Sequence, residues 1–138
     1  LLHGMTKAEI WGIDSSAGML EKAREKCPAA ALVKGDALWL EEIPADYFDL
    51  VFMVDVIHHI KNIAEMFQSI KRVLRQGAVL LIFSDSHEHI RNRLTTRFFP
   101  ETLAAELNRY QDTEELIGTL RQKGFRELGH GVVELGEE

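Results

Sequence analysis

Residues Phe48 to Val56 read FDLVFMVDV, the most hydrophobic stretch of the chain, and they constrain its architecture more than any other feature. Near-continuous apolar character suits a strand buried on both faces, the condition of a central strand in a parallel sheet with helices on either side. Three more runs of strand length accompany it: Ala8 to Asp14 (AEIWGID), Ala31 to Lys34 (ALVK) and Ala78 to Phe83 (AVLLIF). The intervening segments carry helical periodicity. With Ser15 as N-cap, Ala17, Leu20, Ala23 and Cys27 fall on one stripe, Glu21, Lys22, Arg24 and Lys26 face water, and Pro28 follows. Ile63, Met66, Phe67, Ile70, Val73 and Leu74 recur at helical spacing, with Gly77 as a stop.

Strands separated by helices need right-handed crossovers, so the pattern predicts an α/β fold: a doubly wound, mostly parallel sheet with helices on both faces. Past Asp85 the periodicity fades through an arginine- and histidine-bearing segment. It resumes in short helices at Pro100 to Asn108 and Asp112 to Lys123, and Phe125 to Leu135 can supply a last strand or hairpin. At 138 residues, one core and a single domain over 1–138 are expected. Residues 86–111 are a candidate lid on the substrate side.

The formal net charge of −6 argues against nucleic acid or a membrane surface as partner, because both are polyanionic. Cys27 is the only cysteine, which leaves no internal disulfide or thiolate metal cage and suits a reducing cytoplasm. No apolar run approaches the ~20 residues of a membrane span. The start, Leu1-Leu2-His3-Gly4, has no signal-peptide pattern and lies mid-element, as in a truncated chain.

In open α/β sheets ligands bind at the carboxyl ends of strands, and three of those ends carry acids: Asp14, Asp36 and Asp85. An acid after a strand can accept both hydroxyls of an adenosine ribose through charge-assisted hydrogen bonds worth about 1.5–3 kcal/mol. Asp14 suits that role, or it can cap the helix beginning near Ser16. Asp36 can accept an adenine amino group while the backbone N–H of Ala37 meets a ring nitrogen, or the pair can be an ordinary Gly-Asp turn. His58 and His59 are adjacent and, on a helix, point about 100° apart, so they make a poor metal pair and no metal is expected. One is expected to pack inside and the other to face cofactor or substrate. His87-Glu88-His89 reads as a solvated loop that, with Arg91, Arg93 and Arg97, could form a basic lid over an acidic substrate.

Together these spacings resemble class I, Rossmann-like methyltransferases that use S-adenosylmethionine, in the small-molecule branch called type 11. The resemblance rests on four stretches: Ile13 to Ala23 (IDSSAGMLEKA), Val33 to Ala37 (VKGDA), Phe48 to Ile60 (FDLVFMVDVIHHI) and Arg72 to Gly77 (RVLRQG), spanning about residues 8 to 125. It implies S-adenosylmethionine as cofactor. Asp14 and Ser15 would lie on the ribose side, Met19 would flank the adenine, Asp36 and Ala37 would read its edge, and Met53 and Val54 would line the methionine part. It further implies methyl transfer to a small-molecule acceptor, with His59 as base where the acceptor must lose a proton. Unchanged pH–rate behaviour in His59→Ala would exclude that role.

The family's first strand and its Gly-x-Gly-like turn have no counterpart here, and residues 1 to 7 could supply only the tail of the following helix. That strand normally lies between those at Ala8 to Asp14 and Phe48 to Val56. Without it they stand about twice the ~4.8 Å inter-strand spacing apart, too far for hydrogen bonds, which makes the domain incomplete and the isolated chain marginal. A homo-oligomer could supply or cover the missing strand, a version that a stably folded, strictly monomeric chain on gel filtration would exclude. Two rival readings stay open: a nicotinamide-dependent oxidoreductase, whose ribose also takes an acid after a strand, and a non-catalytic methyltransferase-like module for assembly or regulation.

Overall fold

The computed structural model describes residues 8–36 and 40–133. Its elements run β1 (Trp11–Asp14), α1 (Ala17–Lys26), β2 (Ala31–Lys34), β3 (Phe48–Val54), a 3₁₀ turn (Ile57–His59), α2 (Ile63–Val73) and β4 (Leu74–Phe83). Then follow α3 (His87–Asn92), α4 (Leu94–Phe98), a second 3₁₀ turn (Pro100–Thr102), α5 (Leu103–Arg109) and α6 (Thr113–Gln122). Every strand pairing is parallel, as the alternation of strands and helices requires.

The ladder divides in two: β1 pairs with β2 and β3 with β4, with no strand pairing between these sheets. This break falls between β1 and β3, where the sequence reading puts the family's first strand. Side chains span it at one end, where the Trp11 ring packs edge-on against Tyr47 at 5.8 Å and Phe48 at 6.1 Å. The Tyr47 hydroxyl donates to the Glu9 carboxylate at 3.1 Å. Gly12 brings β1 and β2 together, because a Cβ there would lie 2.9 Å from Leu32 Cδ2.

The core lies on one face of β3 and β4. Met66, Phe67 and Val73 of α2 are fully buried, with Ile63, Ile70 and Leu74 nearly so, which matches the helical stripe in the sequence. They meet Met53, Leu40, Ile43 and Ile57 in one cluster, to which Val51, Leu80 and Ile82 contribute from the strands. The opposite strand face is open. Leu50, Phe52 and Val54 lie across from Val79, Leu81 and Phe83 in register, and all six are at least 36% exposed.

Four boundaries differ from the sequence expectation. The N-cap of α1 is Ser16, not Ser15: the Ser16 side chain accepts from Met19 N at 3.3 Å, and Ser15 stays in the preceding loop. Strand β3 stops at Val54 because Asp55 takes a left-handed φ of 53°. Helix α2 ends at Val73, and Gly77, at φ 82°, sits in an irregularity of β4 where pairing jumps from Phe48↔Leu74 to Leu50↔Val79. The last expected strand is not formed over residues 125–133. Phe125 packs on Phe67, Lys71 Nζ donates to the Gly124 carbonyl at 2.8 Å, and the exposed residues beyond pair locally through Arg121, Glu127 and His130. The expectations for residues 1–7 and for Ala37 lie outside the described residues.

Candidate functional site

Asp14 and Asp36 share one rim. Asp14 is the final residue of β1 and pairs with Lys34, the last of β2; Asp36 follows two residues later, and Gly35 N donates to the Asp14 carbonyl at 3.1 Å. The Asp14 carboxylate accepts from Ser16 N at 2.8 Å through Oδ1, an Asx turn that holds it where the chain enters α1. Oδ2 is not part of that turn. Ser15 is exposed beside it, and Met19 on the first turn of α1 is 55% exposed, so an apolar side chain stands near the acids in solvent.

Met53 and Val54 end β3 but differ in direction. Met53 packs into the core, so any ligand contact from it would come from its backbone, whereas the Val54 side chain is 57% exposed on the open face. These residues suit the adenosine half of S-adenosylmethionine: a carboxylate for the ribose hydroxyls, an exposed apolar side chain for a ring, and a second acid one strand over.

The tips of β3 and β4 hold a second cluster. Asp55 N donates to the Phe83 carbonyl at 2.8 Å, which ties the left-handed residue to the end of β4. The following 3₁₀ turn buries His58, whose side chain is 3% exposed, and leaves His59 exposed, as expected for the pair. His58 stacks between His59, with centroids 4.0 Å apart, and Tyr110, at 4.5 Å. Its Nδ1 lies 3.2 Å from Asp55 Oδ1, yet the angle is too poor for a hydrogen bond and this buried nitrogen has no hydrogen-bond partner. Tyr110 OH reaches the same carboxylate oxygen at 3.5 Å.

Burial lowers the His58 pKa below its ordinary 6.5, helped by His59 and Arg109 and opposed by Asp55 and Glu106. The folded protein therefore takes up this proton less readily than the unfolded chain. His58 favours the fold fully above about pH 6.5, and its contribution is lost as pH falls through the depressed folded value. Urea midpoints are expected to drop as pH falls below about 6.5, with a shallower decline in His58→Phe; identical pH profiles would contradict this account.

The segment after β4 is helical where a solvated loop was expected. The Ser86 side chain accepts from His89 N at 3.1 Å and starts α3, so His87 and His89 no longer share a face. His87 Nε2 lies 2.8 Å from the Tyr110 carbonyl, and His89 Nε2 lies 3.4 Å from Asp85. Arg93 folds inward onto Asp85 and Glu106, with its guanidinium 5.5 Å from the Tyr110 ring centre. Its charge is therefore matched inside the protein. A basic lid over an acidic substrate loses its middle arginine for that reason, although Arg91 and Arg97 remain exposed.

Among the described residues no group of three or more His, Cys, Asp or Glu side chains could hold a metal ion. No helix there is long and apolar enough to cross a membrane. Asp55 and Tyr110 were not singled out from the sequence. Asp55 had a signal, an acid between the most hydrophobic strand and two histidines; Tyr110 had none.

Parallel strands whose acidic tips share a rim, joined by helical crossovers, define a Rossmann-like α/β domain. The model of the methyltransferase domain matches residues 1–82, and the chain belongs to that family. Over 76 residues it is 38% identical to trans-aconitate 2-methyltransferase of Rhizobium rhizogenes, which covers 54% of this chain and 28% of the relative. A Thermotoga maritima S-adenosylmethionine-dependent methyltransferase, described as a possible histamine N-methyltransferase, superposes with a TM-score of 0.67 at 25% identity, over 84% of this chain and 55% of its own. The cyclase SpnF gives a TM-score of 0.68 at 21% identity, over 88% of this chain and 43% of its own, and shares the fold alone. The chain thus spans about half of these solved neighbours and 28% of the curated relative.

Proposed function

We propose that this chain is part of an S-adenosylmethionine-dependent methyltransferase that carries the cofactor's methyl group to a small-molecule acceptor. The observation that carries the reading is the placement of Asp14 and Asp36 at neighbouring strand tips on one rim, in a chain of the methyltransferase family. Asp14 accepts the ribose hydroxyls beside Ser15, Met19 covers the adenine, Asp36 and Ala37 meet its edge, and Met53 with Val54 bound the methionine side. The sulfonium is already activated, so the residues of this chain mainly supply orientation and water exclusion. His59, exposed beside the β3 tip, accepts a proton from those acceptors that must lose one.

The helices of residues 86–111 form the acceptor side of a single domain, and a reducing cytoplasm suits the lone Cys27. A calorimetric titration tests the reading against its rivals. Adenosylhomocysteine is expected to bind and NADH not to; the reverse preference would favour an oxidoreductase, and binding of neither would favour the non-catalytic module.

A further inference from the structure

The names of the two similar methyltransferases point to opposite acceptor chemistries, a polycarboxylate and an amine. The cluster at the β3 and β4 tips distinguishes them. Asp55 is held in a left-handed conformation by its bond to Phe83, and its side chain is 59% exposed. Two groups converge on its Oδ1: His58 Nδ1 at 3.2 Å and Tyr110 OH at 3.5 Å.

His58 carries the argument. Its side chain is 97% withdrawn from solvent, since 3% is exposed, yet the ring nitrogen aimed at Asp55 has no hydrogen-bond partner. Buried polar atoms nearly always have a hydrogen-bond partner, so an unpaired one aimed at an exposed carboxylate calls for an explanation.

The surrounding charge selects the ligand. Three carboxylates, Asp55, Glu106 and, through Arg93, Asp85, stand around Tyr110 against the two guanidiniums of Arg93 and Arg109, so carboxylates are in excess by one. Arg93 is bound to Asp85 and Glu106, and Arg109 lies 5.8 Å from the Tyr110 ring centre, so neither is a bare anion hook. A carboxylate backed by aromatic and imidazole rings in a net negative surround suits an ammonium group and repels a polycarboxylate.

We propose that Asp55, backed by His58 and Tyr110, is an acceptor-side subsite for a protonated amine. This rests on the methyltransferase reading and adds to it the class of acceptor. The test follows the His58 and His59 ring signals by NMR in the full chain with isotope-labelled histidine, during titration with unlabelled histamine and, separately, trans-aconitate. Adenosylhomocysteine is titrated into the same samples.

Histamine is expected to shift the His58 signal saturably, and trans-aconitate to leave it in place. Asp55→Asn should weaken the histamine response at least about tenfold, the scale of a lost charge-assisted hydrogen bond. Asparagine tolerates the left-handed backbone, so this variant keeps the fold, and circular dichroism checks that. Tyr110→Phe keeps the ring but removes the hydroxyl and should weaken the response less. A saturable response to trans-aconitate alone, no response to histamine, or an undiminished response in Asp55→Asn overturns the subsite. Adenosylhomocysteine binding that persists in that event leaves the methyltransferase reading intact; its loss in the wild-type chain removes both.

Discussion

Phe67→Ala is expected to cost about 3–5 kcal/mol, enough to unfold a large share of the chain at 25 °C. Phe67 is fully buried at the centre of the cluster formed by α2 with β3 and β4, and its ring also meets Phe125 at 6.2 Å. The substitution removes both the transfer free energy of the ring and its packing, and leaves a cavity that fixed strands cannot close. Whole domains are commonly stable by about 5–15 kcal/mol. This one has a divided sheet and an open apolar strand face, so it belongs at the low end. Phe52→Ala supplies the contrast, because Phe52 is 48% exposed on the open face and its loss should change stability by less than about 1 kcal/mol. Urea denaturation followed by circular dichroism reads both. Equal losses in the two variants would mean that the open face is covered in solution.

The open face and the divided ladder have one origin. A parallel strand needs neighbours on both edges and cover on both faces. Here β1 and β3 each turn an edge toward the break, where Trp11, Tyr47 and Glu9 make only side-chain contacts. The six side chains from Leu50 to Phe83 on that face are left without cover by any element among the described residues.

The sequence made the local parts of this fold readable and the long-range parts obscure, for a physical reason. The stripe from Ile63 to Leu74 and the run FDLVFMVDV each contain enough residues to express a period or its absence, and each marks its element to within two residues, although β3 is covered on one face where the run implied two. The six-residue α3 is too short to show a period; its one signal was Ser86, a cap that the neighbouring histidines obscured. Phe125 to Leu135 suggested a strand or hairpin by composition, but the described part of that run makes no ladder and pairs locally instead. The shared rim of Asp14 and Asp36 was legible because Asp14 ends its run and Asp36 follows the end of the next by two residues. The Asp55, His58 and Tyr110 cluster was not, because Tyr110 arrives from 55 residues away and no local pattern marks it.

Asp14→Asn is expected to weaken adenosylhomocysteine binding by about 10- to 150-fold while leaving the melting temperature nearly unchanged. The affinity loss corresponds to the ~1.5–3 kcal/mol of charge-assisted hydrogen bonding that a carboxylate offers to two ribose hydroxyls. The stability expectation follows from the Asx turn. Asparagine Oδ1 can accept from Ser16 N as Asp14 Oδ1 does at 2.8 Å, so the entry to α1 survives, and only a charge near the helix N-terminus is lost, about 0.3–1 kcal/mol at most. Asp14→Ala removes both functions and should lower affinity and melting temperature together. The pair of variants separates the two roles the sequence allowed for this residue. If Asp14→Asn bound adenosylhomocysteine as tightly as the unaltered chain while Asp14→Ala lost only stability, Asp14 would be a helix-entry residue and the nucleoside would have to be held elsewhere.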